Sequence, residues 1–142
     1  MSTLTASLTT GTQVKIATET HEWLADEPLT KGGTDIGPNP YDLLLGSLAA
    51  CTCITMSLYA QHKGIELDSV TVSFEFDRVQ AEDCEECDED DKGLMERIRS
   101  DIKIKGSFDE AQKKRLTQIA SRCPVHKTLA QGVVFGDNVS FE

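Results

Sequence analysis

The segment from Gly37 to Tyr59 constrains this chain most, because it joins a strong helix start to a long apolar run with two cysteines in its middle. Asn39 followed by Pro40 reads as an N-cap and then proline at the first helical position, where a missing N–H costs nothing. Asp42 stands three residues after Asn39, as in a capping box. The spacing predicts a helix from there to about His62 and Lys63, ended by Gly64. From Leu43 to Tyr59, apolar, small and hydroxyl residues cover nearly every face, so a helix surrounded by protein is expected. Residues two apart on a helix point about 200° apart, so Cys51 and Cys53 cannot bond to each other within it. Cys51 shares its line with Leu44, Leu48, Thr55 and Leu58; Cys53 shares a face with Gly46, Ala49 and Ala60. For Cys53 the ordinary reading is a small core hydrophobe. Elsewhere, only Cys123 sits in a structured-looking context, which makes it the candidate partner for a helix thiol.

With 142 residues, one domain spanning 1–142 is the expectation, large enough to bury a core without staples. The net charge of -10 argues against nucleic acid bound through a broad basic surface, and against anionic membranes. The first residues carry neither a basic nor a long apolar leader region, and no 18-residue stretch is uninterruptedly apolar. A soluble, cytoplasmic protein is therefore expected. Five cysteines are odd in number, so they read as reduced thiols, redox-active thiols or metal ligands rather than a disulfide framework.

Along the chain, residues 2–9 and 12–19 are rich in Thr and β-branched residues and flank Thr10 and Gly11, which predicts a hairpin; His21 to Asp26 adds a third strand. Leu29 to Gly37 is a glycine-rich loop that could wall a pocket. After the long helix, alternation predicts strands over 66–77 and 94–105, joined as a long hairpin. Asp109 opens an amphipathic helix with Ala111, Leu116, Ile119 and Ala120 inward, ending near Ser121. Pro124 to Leu129 forms a short third helix, and residues 132–141 read as a last strand through Val133, Phe135, Val139 and Phe141.

With Pro124 as first helical residue, Cys123 takes the N-cap, where free N–H groups and the positive end of the dipole favour a thiolate. Arg122, His126 and Lys127 lie nearby. By this local argument Cys123 has the more acidic thiol, and Cys51, about a dozen residues into its helix, needs an imported cation. Cys84 and Cys87 lie in an acidic hairpin tip. They can be an unreactive loop pair, a redox-active disulfide, or weak candidates for metal ligands, although no second ligand pair stands at metal-site spacing. No other metal ligands and no cofactor are expected.

The stretches Gly37 to Leu44, Leu48 to Cys51 and Arg122 to Val125 resemble the OsmC/Ohr family of thiol-dependent hydroperoxide reductases over nearly the whole chain. The resemblance implies an α+β fold of OsmC type, with N-terminal antiparallel strands, a long buried central helix, a further hairpin and more helices, in an intertwined homodimer. It also implies that Cys51 attacks a small organic hydroperoxide and becomes a sulfenic acid, that Cys123 condenses with it, and that a dithiol reductant resets the pair. The chain departs from the pattern in two places. Peroxidatic members place a glutamate directly after the Asn-Pro, where it orients an arginine from the N-terminal strands onto the sulfur; here that position is Tyr41, followed by Asp42. No arginine precedes Arg78, so only Lys15 and Lys31 can supply a cation from that region, with His21, Arg122 or His126 as substitutes. Two readings follow: a divergent hydroperoxide reductase, or a fold relative that uses its pocket for binding or redox sensing.

Overall fold

The computed structural model describes residues 3–142, which form two compact units, one ending at Ser47 and one beginning at Leu48. In the first, β1 (Thr5–Thr10), β2 (Gln13–Ala17) and β3 (Glu22–Ala25) pair in that order as an antiparallel sheet. The hairpin expected from residue 2 starts within the described chain at Thr5, and Ser2 lies outside the described residues.

The loop that follows β3 is organised by a residue the sequence reading passed over. Asp26 is 2% exposed. Its carboxylate accepts from the hydroxyls of Thr12 and Thr34 and from the backbone N–H groups of Glu27 at 2.7 Å, Thr34 at 3.1 Å and Ile36 at 3.3 Å. A buried charge is tolerated when every lone pair finds a donor, and this one ties the loop back to β2 and β3. The chain passes so close to itself here that a Cβ on Gly33 would run into the carbonyl of Glu27.

Acid should therefore loosen this unit. The Thr12 hydroxyl and then that of Thr34 hold the Asp26 carboxyl well below the usual carboxylate range, outweighing burial, with the N–H groups of Glu27 and Ile36 adding to the effect. A depressed folded-state value contributes stability that is complete above the unfolded-state value near 3.8 and is lost as pH falls below it. Melting curves from pH 7 to pH 2 should show a wild-type loss below about pH 4 that is smaller in Asp26→Asn, which starts from a lower melting point at neutral pH. Parallel profiles for the two proteins would sink the assignment.

Helix α1 (Pro40–Lys63) starts and stops where the sequence predicts. Asn39 Oδ1 accepts from the Asp42 N–H at 2.9 Å and Asp42 Oδ2 from the Asn39 N–H at 3.3 Å, the reciprocal capping box. At the far end Gly64 takes a φ of 65°, a left-handed turn that glycine adopts without a steric penalty. The expected enclosure of this helix is not what the chain provides. Its buried residues are Leu48, Thr52, Met56 and Ala60, one stripe at four-residue spacing, while Ile54 and Leu58 are 57% and 59% exposed. All-round apolarity needs partners on all sides, and this chain covers one face.

In the second unit β4 (Glu66–Gln80) and β5 (Leu94–Ser107) pair antiparallel along their whole length. Val70 stands opposite Ile104, Val72 opposite Ile102 and Phe76 opposite Ile98, so the two-residue period gathers the apolar side chains on one face. Helix α2 (Glu110–Ala120) is capped reciprocally by Asp109 and Gln112. Its Leu116 and Ile119 join Met56 in the core, flanked by Tyr59, Val70, Ile102, Ile104 and Phe108. Ala111 is exposed rather than inward, since it lies eight residues before Ile119 and about 80° round the helix from it.

Beyond the apolar part, the hairpin is held by charge. Arg97 stands opposite Asp77, Arg99 opposite Glu75 and Arg78 opposite Glu96, each pair bridged. Helix α3 (Pro124–Gln131) completes the regular structure. The strand expected over 132–141 does not form: Phe135 and Phe141 are 81% and 95% exposed. Alternation prepares a face, but a strand also needs a ladder partner, and among the described residues the strands of each sheet pair only with one another.

Candidate functional site

The second unit brings the N-terminus of α3 against the fourth turn of α1. Cys123 is the N-cap of α3, with Pro124 at the first helical position; it is completely buried, and its Sγ accepts the His126 N–H at 3.2 Å. Thr52, also buried, lies with its hydroxyl 3.9 Å from that sulfur, but donates its single proton to the Leu48 carbonyl at 2.9 Å. The half-buried Cys51 faces Cys123 across this contact. Its Sγ is 4.0 Å from the Thr55 hydroxyl, and the Val125 N–H and the Cys123 thiol act on it from the start of α3. Both thiols are reduced.

This arrangement reverses the order of acidity that local reasoning assigns. Burial pushes the Cys51 thiol up, but the Val125 N–H, the Cys123 thiol and the Thr55 hydroxyl together hold it below its ordinary value. Burial pushes the Cys123 thiol up and prevails over the His126 N–H, while the neighbouring Cys51 sulfur pushes in the same direction. The N-terminus of α3 does supply positive potential, as the cap signal says, but it divides its N–H groups between two sulfurs. His126 N–H serves the cap, and Val125 N–H reaches across to α1. Of the two thiols, Cys51 is therefore the one that gives up its proton first.

The other candidates fall in different places. His126 lines two cavities, one of about 220 Å³ with Leu48, Phe74, Glu96, Ile98 and Leu129, and one of about 340 Å³ with Ser100, Ile104 and Thr117. Arg122 is exposed and closes α2 through its backbone N–H to the Ile119 carbonyl. Cys53 is half-buried, with its thiol 3.9 Å from the Val70 carbonyl, a packing position. In the N-terminal unit, Asp42 is committed to the α1 cap, Tyr41 is 50% exposed, Lys15 pairs with Glu22 at 2.9 Å, and His21 Nδ1 lies 2.9 Å from the Thr20 hydroxyl. Cys84 and Cys87 are joined in a disulfide, and a bonded sulfur has no thiolate to offer a metal.

Sequence reasoning placed Thr55 on the line of Cys51 without giving it a role, and it missed the Val125 N–H. Thr55 stands four residues after Cys51 on one helix line and was legible as a neighbour, whereas the reach of a backbone N–H from α3 depends on how the helices pack.

Fold and thiols together define the class: an α+β protein with a facing pair of reduced cysteines at a helix N-terminus, an arrangement suited to redox chemistry. A model of the family OsmC-like protein matches residues 32–136. The chain belongs to this family. Its fold is similar to the crystal structure of an OsmC-like protein from Mycoplasma pneumoniae, with TM-score 0.70 and 25% identity over 94% of this chain and 89% of that one. It also resembles an osmotic stress induced and detoxification response protein from Psychrobacter arcticus, with TM-score 0.68 and 20% identity over 89% and 87% of the two chains. The organic hydroperoxide resistance protein OsmC from Legionella pneumophila matches with TM-score 0.60 and 20% identity, again over 89% and 87%. No curated protein sequence matches the chain.

Proposed function

We propose that this protein is a thiol-dependent reductase of organic hydroperoxides, with Cys51 as attacking thiol and Cys123 as resolving thiol. The observation that carries this reading is the buried Cys123 at the N-terminus of α3, its sulfur 3.9 Å from the hydroxyl of Thr52, the residue next to Cys51. The helix end thus supplies positive potential that an arginine would otherwise bring, with the Val125 N–H among the groups holding the Cys51 thiol below its ordinary value. Cys51 thiolate attacks the outer oxygen of the hydroperoxide. An S–O bond forms, the O–O bond breaks, and the alkoxide leaves as an alcohol with the proton that Cys123 is placed to hold. Cys123 sulfur then attacks the sulfenic acid on Cys51, hydroxide departs and takes up a proton as water, and a disulfide results. An external dithiol returns two electrons and two protons. The cavity of about 220 Å³ between β4, β5 and α3 has Leu48, Phe74 and Ile98 on its walls, a surface suited to an organic substituent.

The proposal includes a homodimer. Its support is the apolar surface that this chain leaves uncovered, on α1 at Ile54 and Leu58 and in the C-terminal segment at Phe135 and Phe141.

The decisive experiment treats reduced protein with stoichiometric tert-butyl or cumene hydroperoxide and follows disulfides by mass spectrometry. A Cys51–Cys123 bond should form within seconds and be abolished by Cys51→Ser. Thiols that persist for many minutes transfer the protein to a second reading, a binding or redox-sensing relative. One observation favours that alternative: the side-chain activation of the family pattern is altered, with Tyr41 where the glutamate stands and Lys15 already paired to Glu22.

A further inference from the structure

The tip of the β4–β5 hairpin holds a second redox-capable pair that peroxide reduction does not use. Residues 81–93 carry eight carboxylates and a single lysine, so mutual repulsion favours a spread loop. Two connections oppose it. Cys84 and Cys87 are bonded across two intervening residues, and Glu86, one of them, accepts from Arg97 Nη1 at 3.2 Å. Arg97 is well anchored for this: its Nε and Nη2 grip the two oxygens of Asp77 at 3.0 and 2.8 Å, and its side chain is 17% exposed, against 49% for Arg99 and 56% for Arg78. A fixed guanidinium thus waits at the base of the loop. The disulfide constrains the short turn that keeps Glu86 within its reach.

We propose that the Cys84–Cys87 bond is a redox-operated latch: closed, it presents Glu86 to Arg97 and holds residues 81–93 in one arrangement; opened by a dithiol reductant, it releases both. The step balances as thiol–disulfide exchange. The reductant's two S–H groups become its own disulfide, and the Cys84–Cys87 S–S bond becomes two S–H groups. Both cysteines are half-buried rather than sealed, so a small dithiol has access. The surrounding carboxylates disfavour the thiolates that exchange needs, which makes the latch slow beside the Cys51 and Cys123 chemistry and independent of it. Once the bond is cut, the Glu86–Arg97 contact loses the turn that holds it in place, and a few turn hydrogen bonds, such as Asp88 N–H to Asp91, are left to resist the repulsion.

The test is tryptic cleavage after Lys92, followed by mass spectrometry on the intact chain in three forms: oxidised wild type, wild type in dithiothreitol, and an unreduced Cys84→Ser/Cys87→Ser variant. The variant separates the tip from any effect of dithiothreitol on Cys51 and Cys123. Both open forms should be cut at least about fivefold faster than the oxidised protein, with circular dichroism confirming that the remainder is folded. Glu86→Gln with the bond intact should also be cut faster than oxidised wild type. A smaller rise in either open form, or no rise in Glu86→Gln, overturns the latch.

Discussion

Cys123→Ser protein given one equivalent of cumene hydroperoxide should stop at a sulfenic acid on Cys51, detectable as a dimedone adduct, and should not form the intramolecular disulfide. The first step should slow but persist, since the substitution removes the Cys123 proton while the Val125 N–H that also lowers Cys51 comes from the backbone and survives. Serine is also a good N-cap, so the start of α3 is preserved. Turnover with a dithiol should fall on the order of 10²-fold or more, because the sulfenic acid must wait for an external thiol and becomes exposed to further oxidation. In wild-type protein the rate of the first step should rise with pH to a plateau, with a midpoint below the ordinary thiol value of 9.0. The sign follows from the depressed Cys51 value: thiolate is lost as pH falls through it. If Cys123 proves the faster of the two to react, the assignment of roles is reversed.

Leu116→Ala should cost about 2–5 kcal/mol in chemical denaturation, the range for removing a large aliphatic side chain from a packed core. Leu116 is 1% exposed and packs with Met56 and Ile119 in the core of its unit. Leu58→Lys should behave in the opposite manner. It lies on the uncovered face of α1, so it leaves that core intact and, under the proposed homodimer, moves the protein from dimer to monomer in sedimentation analysis. Monodisperse wild-type monomer at micromolar concentration would remove the homodimer from the proposal. In that case the apolar face of α1 has another use.

Much of the local structure was legible because its causes are local. The cap of α1 rests on Asn39, Pro40 and Asp42, that of α2 on Asp109 and Gln112, and the β4–β5 hairpin on strict two-residue alternation. The same reasoning failed at residues 132–141. There the alternation of Val133, Phe135, Val139 and Phe141 is real, but a strand exists only where another backbone completes its ladder. On the faces of α1, composition measures the wish for burial and not the supply of neighbours, and within one chain only the stripe of Leu48, Thr52, Met56 and Ala60 is covered. Asp26 was invisible for a related reason: its donors come from Thr12, Thr34 and Ile36, scattered in sequence and assembled only by the loop's path.

The candidate site divides in the same way. That the two motifs belong together is what the family resemblance implies; that Cys123 would cap a helix and that Cys51 and Cys53 could not bond to each other followed from residue order and helix geometry. Which sulfur carries the charge did not. Local position favours Cys123, yet burial raises it and the free N–H of Val125 turns to Cys51. Desolvation and hydrogen-bond direction are properties of packed neighbours rather than of chain position, so the acidity of this pair was settled only when α1 and α3 came together.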